Sequence, residues 1–218
     1  MYEIAKHDDY QRTYAKIATY FMTLYVTCQY ILVVMAPTVM KVLVAPDYFG
    51  AWRVIQVVGL GQCVYALHSF FVVGAFVKSK TWYLPIAYLC AAFVNISFNW
   101  YFLPRYGYMA GAWNVVLTYC VFSFLTLFIF QRIYPIPFEF RRLGYLFGGG
   151  VFFVLLSNAF HLPHSILNGM KELAFALIFP SILFFGPYFD RDEKESLSEE
   201  LQKIHPRLAA IYTRLALR

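Results

Sequence analysis

Six apolar segments, each near the length of a membrane-spanning helix, constrain this chain more than any other feature of its sequence. A helix that crosses the hydrocarbon core of a bilayer needs about 20 consecutive and mainly apolar residues. The segments lie near residues 14–35, 51–76, 82–103, 108–131, 142–160 and 166–186, and the last two are shorter or more interrupted. We therefore predict an all-α, polytopic membrane helix bundle of about six transmembrane helices within residues 1–186.

The composition supports a membrane protein. Hydrophobic residues make up 61% of the 218 residues and charged residues only 14%, whereas soluble domains average about 45–50% and roughly 25%. Aromatic residues reach 21%, which suits lipid contact and interfacial aromatic belts. The net charge is +6, but the basic residues lie in short clusters between apolar segments. That distribution is typical of membrane topology signals, so we predict no nucleic-acid binding.

The positions of lysine and arginine predict how the spans are oriented. If six spans alternate in direction, the side opposite the termini keeps only Lys41, Arg53, Arg105 and Lys171 of the 18 basic residues. All the others lie on the side that carries both termini. The positive-inside rule therefore predicts that both termini are cytoplasmic.

Two segments outside the spans have helical patterns of their own. Residues 36–50 lie between the first two spans, and Pro37 and Pro46 bound a short apolar stretch that we predict to be an interfacial helical turn. Residues 187–218 are polar and predict an amphipathic cytoplasmic tail, with capping-box spacing at Ser196 and Glu199 and a break at Pro206. The tail could bind the membrane surface or a partner, or pack on the protein's own cytoplasmic loops.

The candidate substrate-binding residues are four polar residues in or beside the apolar segments. Asn95 and Asn99 are four residues apart and share a helix face, as Arg53 and Gln56 do at three apart. The asparagines, together with Asn114, could form interhelical hydrogen bonds or line a substrate cavity. Arg53 could bind a phosphate bidentately or extend its guanidinium to the lipid headgroups.

A tight helix reversal follows the two asparagines at residues 103–107. Pro104 is expected to end the helix there, and Gly107 suits a turn that needs a positive φ. Gly111 and Ala112 then present small side chains that allow close helix packing.

We find no pattern typical of catalysis or of a cofactor. No nucleophile, zinc-protease or phosphate-loop motif occurs, and the four cysteines lie in four different apolar segments. The sequence therefore predicts no catalytic residue, no metal site, no cofactor and no enzyme activity. His68 is expected to be packed and hydrogen-bonded. Asp47, Glu139 and Glu172 are read as lying at or near segment ends, which argues against a buried site for a coupling ion.

Four motifs occur in an order that resembles a known transporter family. They are 36–48, the glycine-containing 58–61, the lysine hairpin 78–81, and Asn95 to Asn99 with 103–107 and 111–112. This order is similar to the C-terminal part of polysaccharide flippases of the O-antigen, or lipid-linked oligosaccharide, type. These flippases belong to the multidrug/oligosaccharidyl-lipid/polysaccharide exporter superfamily. The resemblance covers roughly residues 10–130, and Ala45-Pro46 replaces the usual Phe-Gly pair.

The resemblance implies a two-lobed bundle of twelve or fourteen helices that exposes its cavity to each side alternately. This chain would be its last six helices, a fragment or half that pairs with the missing N-terminal helices. The partners would be a lipid-linked oligosaccharide, as the substrate, and membrane lipids. The protein would lie in the bacterial inner membrane. A drug/cation antiporter of the same superfamily and a non-transporting six-helix scaffold or assembly subunit remain alternatives.

Overall fold

The computed structural model describes residues 10–160, 165–186, 188–190 and 193–195, and the described residues form helices and no strands. The all-α prediction is confirmed. The helices are α1 (Tyr10–Leu43), a 3-10 helix (Pro46–Ala51), α2 (Trp52–Phe71), α3 (Val73–Val77), α4 (Tyr83–Tyr106), α5 (Tyr108–Ile133), α6 (Phe140–Ala159) and α7 (Ser165–Phe185).

Six helical segments are long and apolar enough to cross a membrane, as the sequence predicts. They are Tyr10–Leu43, Pro46–Val77, Tyr83–Tyr106, Tyr108–Ile133, Phe140–Ala159 and Ile166–Phe185. The chain is thus a multi-pass membrane protein. The predicted amphipathic pattern of the tail, including Ser196, Glu199 and Pro206, lies outside the described residues.

The first helix is longer than predicted because it continues through a proline. α1 runs past Pro37 to Leu43, so the separate interfacial turn predicted for this segment is wrong. Proline has no N–H to donate to the carbonyl four residues earlier, which here belongs to Val33. Gln56 of α2 donates to that carbonyl oxygen instead, with Nε2 at 3.3 Å. The side-chain bond supplies a partner to the carbonyl that the proline leaves unpaired, and the helix persists.

A single residue joins α4 to α5. α4 continues through Pro104 to Tyr106, about one turn beyond the predicted end. Gly107 then takes φ 65° and ψ −158° and donates its N–H to the Leu103 carbonyl at 2.9 Å. This combination of angles is open almost only to glycine. The predicted positive φ is confirmed, and the next residue begins α5.

Residue contacts divide the chain into two compact units that meet in sequence at Gly150, within α6. In the first unit α2 is central: it packs against α1 on one side and α5 on the other, and α5 packs in turn against α4. The second unit contains the end of α6 and α7. There Phe153 packs against Phe175 and Phe179, with ring centroids 6.5 and 5.7 Å apart.

Two glycines let α2 approach both of its neighbours. A methyl group at Gly59 would lie 2.6 Å from Val33 Cγ2 of α1. One at Gly61 would lie 3.3 Å from Val115 Cγ1 and 3.4 Å from the backbone Cα of Val116 in α5. Between membrane helices, close backbone approach of this kind replaces the hydrophobic driving force that water supplies to soluble bundles.

A hydrophobic cluster gathers several helix ends at one end of the first unit. It contains Tyr10 and Tyr14 from the start of α1, Phe71 and Val73 from the α2–α3 junction, and Ile136 and Phe138 after α5. The start of α1 and the ends of α3 and α5 therefore share one end, as alternating spans require.

We predict that Gly61→Leu destabilises the protein, because the new side chain meets the α5 backbone, which cannot rotate away. Overpacking of this kind typically costs about 1–3 kcal/mol. Thermal unfolding of the purified protein in detergent, followed by circular dichroism, measures the loss. Gly144→Ala is the matched control, since a methyl group there meets nothing within 4 Å. Equal melting temperatures for Gly61→Leu and wild type would contradict the close α2–α5 packing.

Candidate functional site

Three polar residues form a closed hydrogen-bond network between α4 and α5. Asn95 Nδ2 donates to Thr118 Oγ1 at 2.9 Å, and Asn114 Nδ2 donates to the backbone carbonyl of Asn95 at 3.0 Å. The Thr118 hydroxyl donates to Asn114 Oδ1 at 3.4 Å. Each of the three residues thus bonds to both of the others. The interhelical bonds expected for Asn95 and Asn114 are present.

Asn99 extends this network along α4. Its Nδ2 donates to Asn95 Oδ1 at 3.3 Å, across one helical turn. Asn114 is only 1% exposed, whereas Asn95 and Asn99 are half-buried. Within the described part of the chain, the Asn99 side-chain oxygen accepts no hydrogen bond. The network therefore runs from a buried amide to a half-buried one that keeps a free acceptor.

The spacing along α4 explains why these amides face α5. Ala87, Ala91, Asn95 and Asn99 follow at steps of four and form one stripe. Ala87 and Ala91 pack against Phe122 of α5. The small side chains bring the helices close together, and the asparagines in the next two turns can then reach across.

The opposite face of α4 is exposed. Leu89, Phe93, Ile96 and Trp100 follow at alternating steps of four and three and are 70%, 73%, 66% and 84% exposed. A stripe of this kind is suited to contact with lipid. The asparagines of the network thus lie on the inner face of α4, and the outer face of the same helix is apolar and exposed.

The other two predicted site residues lie in the first two turns of α2, away from the α4–α5 network. Gln56 is bonded to the Val33 carbonyl of α1, and exposed Arg53 lies with Cζ 5.4 Å from the centroid of the Trp52 ring. The contacts of Asn95 and Asn99 are with α5 and within α4. Gln56 thus belongs to the α1–α2 interface and the two asparagines to the α4–α5 interface, while Arg53 is exposed at the start of α2, so the four candidates form no single cluster.

His68 is packed and hydrogen-bonded, as expected. Its side chain is buried, and Nδ1 lies 2.9 Å from Thr126 Oγ1. The Thr126 hydroxyl is within donating distance of the Phe122 carbonyl, at 2.8 Å. That hydroxyl has a single hydrogen, so it donates either to this carbonyl or to His68 Nδ1, and the tautomer of the imidazole decides which. The imidazole and Phe122 ring centroids are 3.8 Å apart.

Glu172 lies deeper in its helix than predicted. The sequence pattern indicated a position at or near the end of an apolar segment, and this expectation is wrong. Glu172 lies about two turns into α7 and is only 5% exposed. Its neighbour Lys171 donates from Nζ to the carbonyl oxygens of Ser157 and Phe160 at the end of α6, at 2.9 and 2.7 Å. The signal was available in the sequence, as a Lys-Glu pair inside an apolar run.

Comparison with known proteins finds no matching family model, no matching curated protein and no matching solved structure. The resemblance to polysaccharide flippases therefore rests on the sequence motifs alone.

The α4–α5 network should show measurable coupling between its members. We predict that Asn95→Ala and Thr118→Val each lower stability, and that the double variant loses less than their sum, because one hydrogen bond is common to both. Couplings between membrane helices average about 0.6 kcal/mol and reach about 1.7 kcal/mol. A double-mutant cycle on unfolding in detergent measures this term.

Ser97→Ala serves as the control for this cycle, since Ser97 is exposed on the same helix. It should be additive with Thr118→Val. If the effects of Asn95→Ala and Thr118→Val were also additive, the bond between α4 and α5 would not contribute to stability.

Proposed function

We propose that this chain is the C-terminal portion of a transporter that flips polyprenyl-diphosphate-linked glycans across the bacterial inner membrane, for surface polysaccharide biosynthesis. The ordered motifs of residues 10–130 suggest this function, and the six membrane-spanning helices are compatible with it. In the complete transporter, these helices would form part of one lobe and work with further N-terminal helices by alternating access. Both termini would be cytoplasmic, following the lysine and arginine distribution.

The amide network of α4 and α5 is the observation that carries this proposal. A glycan presents hydroxyl groups that both donate and accept hydrogen bonds, and an amide side chain does the same. Asn99 is half-buried and keeps a free acceptor, and its bond to Asn95 continues to the fully buried Asn114. The network also carries no charge, which suits a neutral sugar better than a cation.

The diphosphate of the substrate would stay near the membrane surface. Arg53 lies in the first turn of α2 and Arg105 in the last turn of α4, so both lie at the end of the first unit opposite the hydrophobic cluster. Both are exposed, and Arg105 Cζ lies 3.7 Å from the centroid of the Tyr101 ring. Guanidinium groups in this position can bind phosphate oxygens bidentately. Gln56 would act indirectly, by holding α1 against α2.

Glu172 favours a second candidate, a drug/cation antiporter of the same superfamily. A carboxylate buried within a membrane helix is a common site for a proton or a metal cation in coupled transport. This candidate predicts that Glu172→Gln abolishes drug efflux. The flippase proposal predicts that glycan export depends more on Asn95 and Asn99 of α4 than on Glu172.

The proposal is tested by introducing single substitutions into the gene at its native position in the genome, with the rest of the locus unchanged. We predict that Asn99→Ala lowers export of surface glycan several-fold at equal protein level, because losing one hydrogen bond costs about 0.5–1.5 kcal/mol. Export is measured by lectin labelling of intact cells. Ser97→Ala, on the exposed face of the same helix, should leave export unchanged.

Two results would contradict the flippase proposal. One is normal glycan export after deletion of residues 10–186 from the locus, which would favour a scaffold role. The other is lost drug efflux with normal glycan export in Glu172→Gln, which would favour the antiporter.

A further inference from the structure

One end of the first unit carries a concentration of positive charge. At this end α1 begins, α3 and α5 end and α6 begins, and the hydrophobic cluster around Tyr10 and Phe138 holds it together. Its exposed basic residues are Arg12, Lys16, Lys78, Lys80, Arg132 and Arg141. Within residues 10–150, the acidic residue at this end is Glu139, whose carboxylate pairs with Arg142 at 3.4 Å. The six exposed cations therefore face the surroundings without a neutralising carboxylate from that part of the chain.

Three of these cations are held over aromatic rings. Arg132 Cζ lies 4.0 Å from the centroid of Phe128, Lys78 Nζ 5.5 Å from that of Tyr134, and Arg141 Cζ 5.8 Å from that of Tyr145. Cation–π contact orients a side chain while leaving its N–H groups free to bind an anion. These contacts fix the positions of charges that would otherwise be mobile.

The backbone under Lys78 and Lys80 is also fixed. Ser79 has φ 52°, Lys80 N–H donates to the Ala75 carbonyl at 2.8 Å, and Ser79 N–H donates to the Phe76 carbonyl at 3.2 Å. These two bonds form a Schellman motif, with serine at the position where glycine is usual. The motif ends α3 sharply and places a lysine on each side of the turn.

An apolar stripe leads from the membrane to Arg132. Phe124, Phe128 and Arg132 follow at steps of four on α5, and the two rings stack with centroids 6.2 Å apart. Phe124 is 66% exposed and Phe128 is 48% exposed. A cation at the end of an exposed apolar stripe matches a ligand that has an anionic head and an apolar tail.

We propose that this end of the first unit, through Lys78 and Arg132, binds anionic phospholipids of the leaflet that it faces. The phosphate would accept hydrogen bonds from the Arg132 guanidinium and the Lys78 ammonium, and an acyl chain would lie along Phe128 and Phe124. The apolar stripe favours a lipid over a soluble phosphate. This binding is independent of the transported substrate.

The test measures retention of phosphatidylglycerol against phosphatidylcholine by the purified full chain, using native mass spectrometry after extraction from mixed vesicles. We expect wild type to prefer phosphatidylglycerol. Lys78→Gln with Arg132→Gln should lower this preference roughly fivefold for each cation removed, or roughly thirtyfold together. Arg132→Lys, which retains the charge, should keep most of it, and its melting temperature shows whether the fold is intact.

Lys41→Gln is the matched control. Lys41 is an exposed cation in the last turn of α1, at the end of the first unit opposite Lys78 and Arg132. It should leave the lipid preference unchanged. An equal loss in Lys41→Gln would overturn the proposal, because it would show general charge attraction. Displacement of the lipid by inorganic phosphate at equal concentration would also overturn it, in favour of a soluble anion.

Discussion

The hydrocarbon interior of a membrane accepts no hydrogen bonds, so each polar group within a span needs a partner from the protein. In this chain, side chains of one helix repeatedly donate to backbone carbonyl oxygens of another. Gln56 donates to Val33, Asn114 to Asn95, Ser123 to Val64, and Lys171 to Ser157. These bonds join α2 to α1, α5 to α4, α5 to α2 and α7 to α6. They set the register of each helix pair, which nonspecific contact with lipid-like side chains cannot do.

Glycine determines how close the central helices come, and this closeness makes the side-chain bonds possible. Gly59 and Gly61 lie near the middle of α2, and their missing side chains leave room for α1 and for α5. At the α4–α5 interface, Ala87 and Ala91 have the same effect around Phe122. The polar network of that interface thus depends on small residues one and two turns away, and so does the candidate site.

The sequence predicted the features that depend on local composition. The six spans follow from segment length and hydrophobicity, and the positive φ of Gly107 follows from the residue type. The predictions were wrong where the local structure depends on a residue far away in the sequence. The stretch after Pro37 was predicted to be a separate helical turn, and only the folded chain brings Gln56 to the Val33 carbonyl, so that α1 continues. Likewise, the hydropathy pattern does not encode which helices become neighbours. It therefore could not predict that Arg53 and Gln56 lie apart from Asn95 and Asn99.

We propose that the cationic end of the first unit faces the cytoplasm. The most direct measurement of this orientation is the labelling of single cysteines from outside intact cells, after replacement of the four native cysteines. We use Lys80→Cys at the cationic end and Tyr106→Cys at the opposite end, both at exposed positions. A membrane-impermeant maleimide should label Tyr106→Cys in intact cells and Lys80→Cys only after permeabilisation. Labelling of Lys80→Cys in intact cells, with Tyr106→Cys protected, would contradict the account.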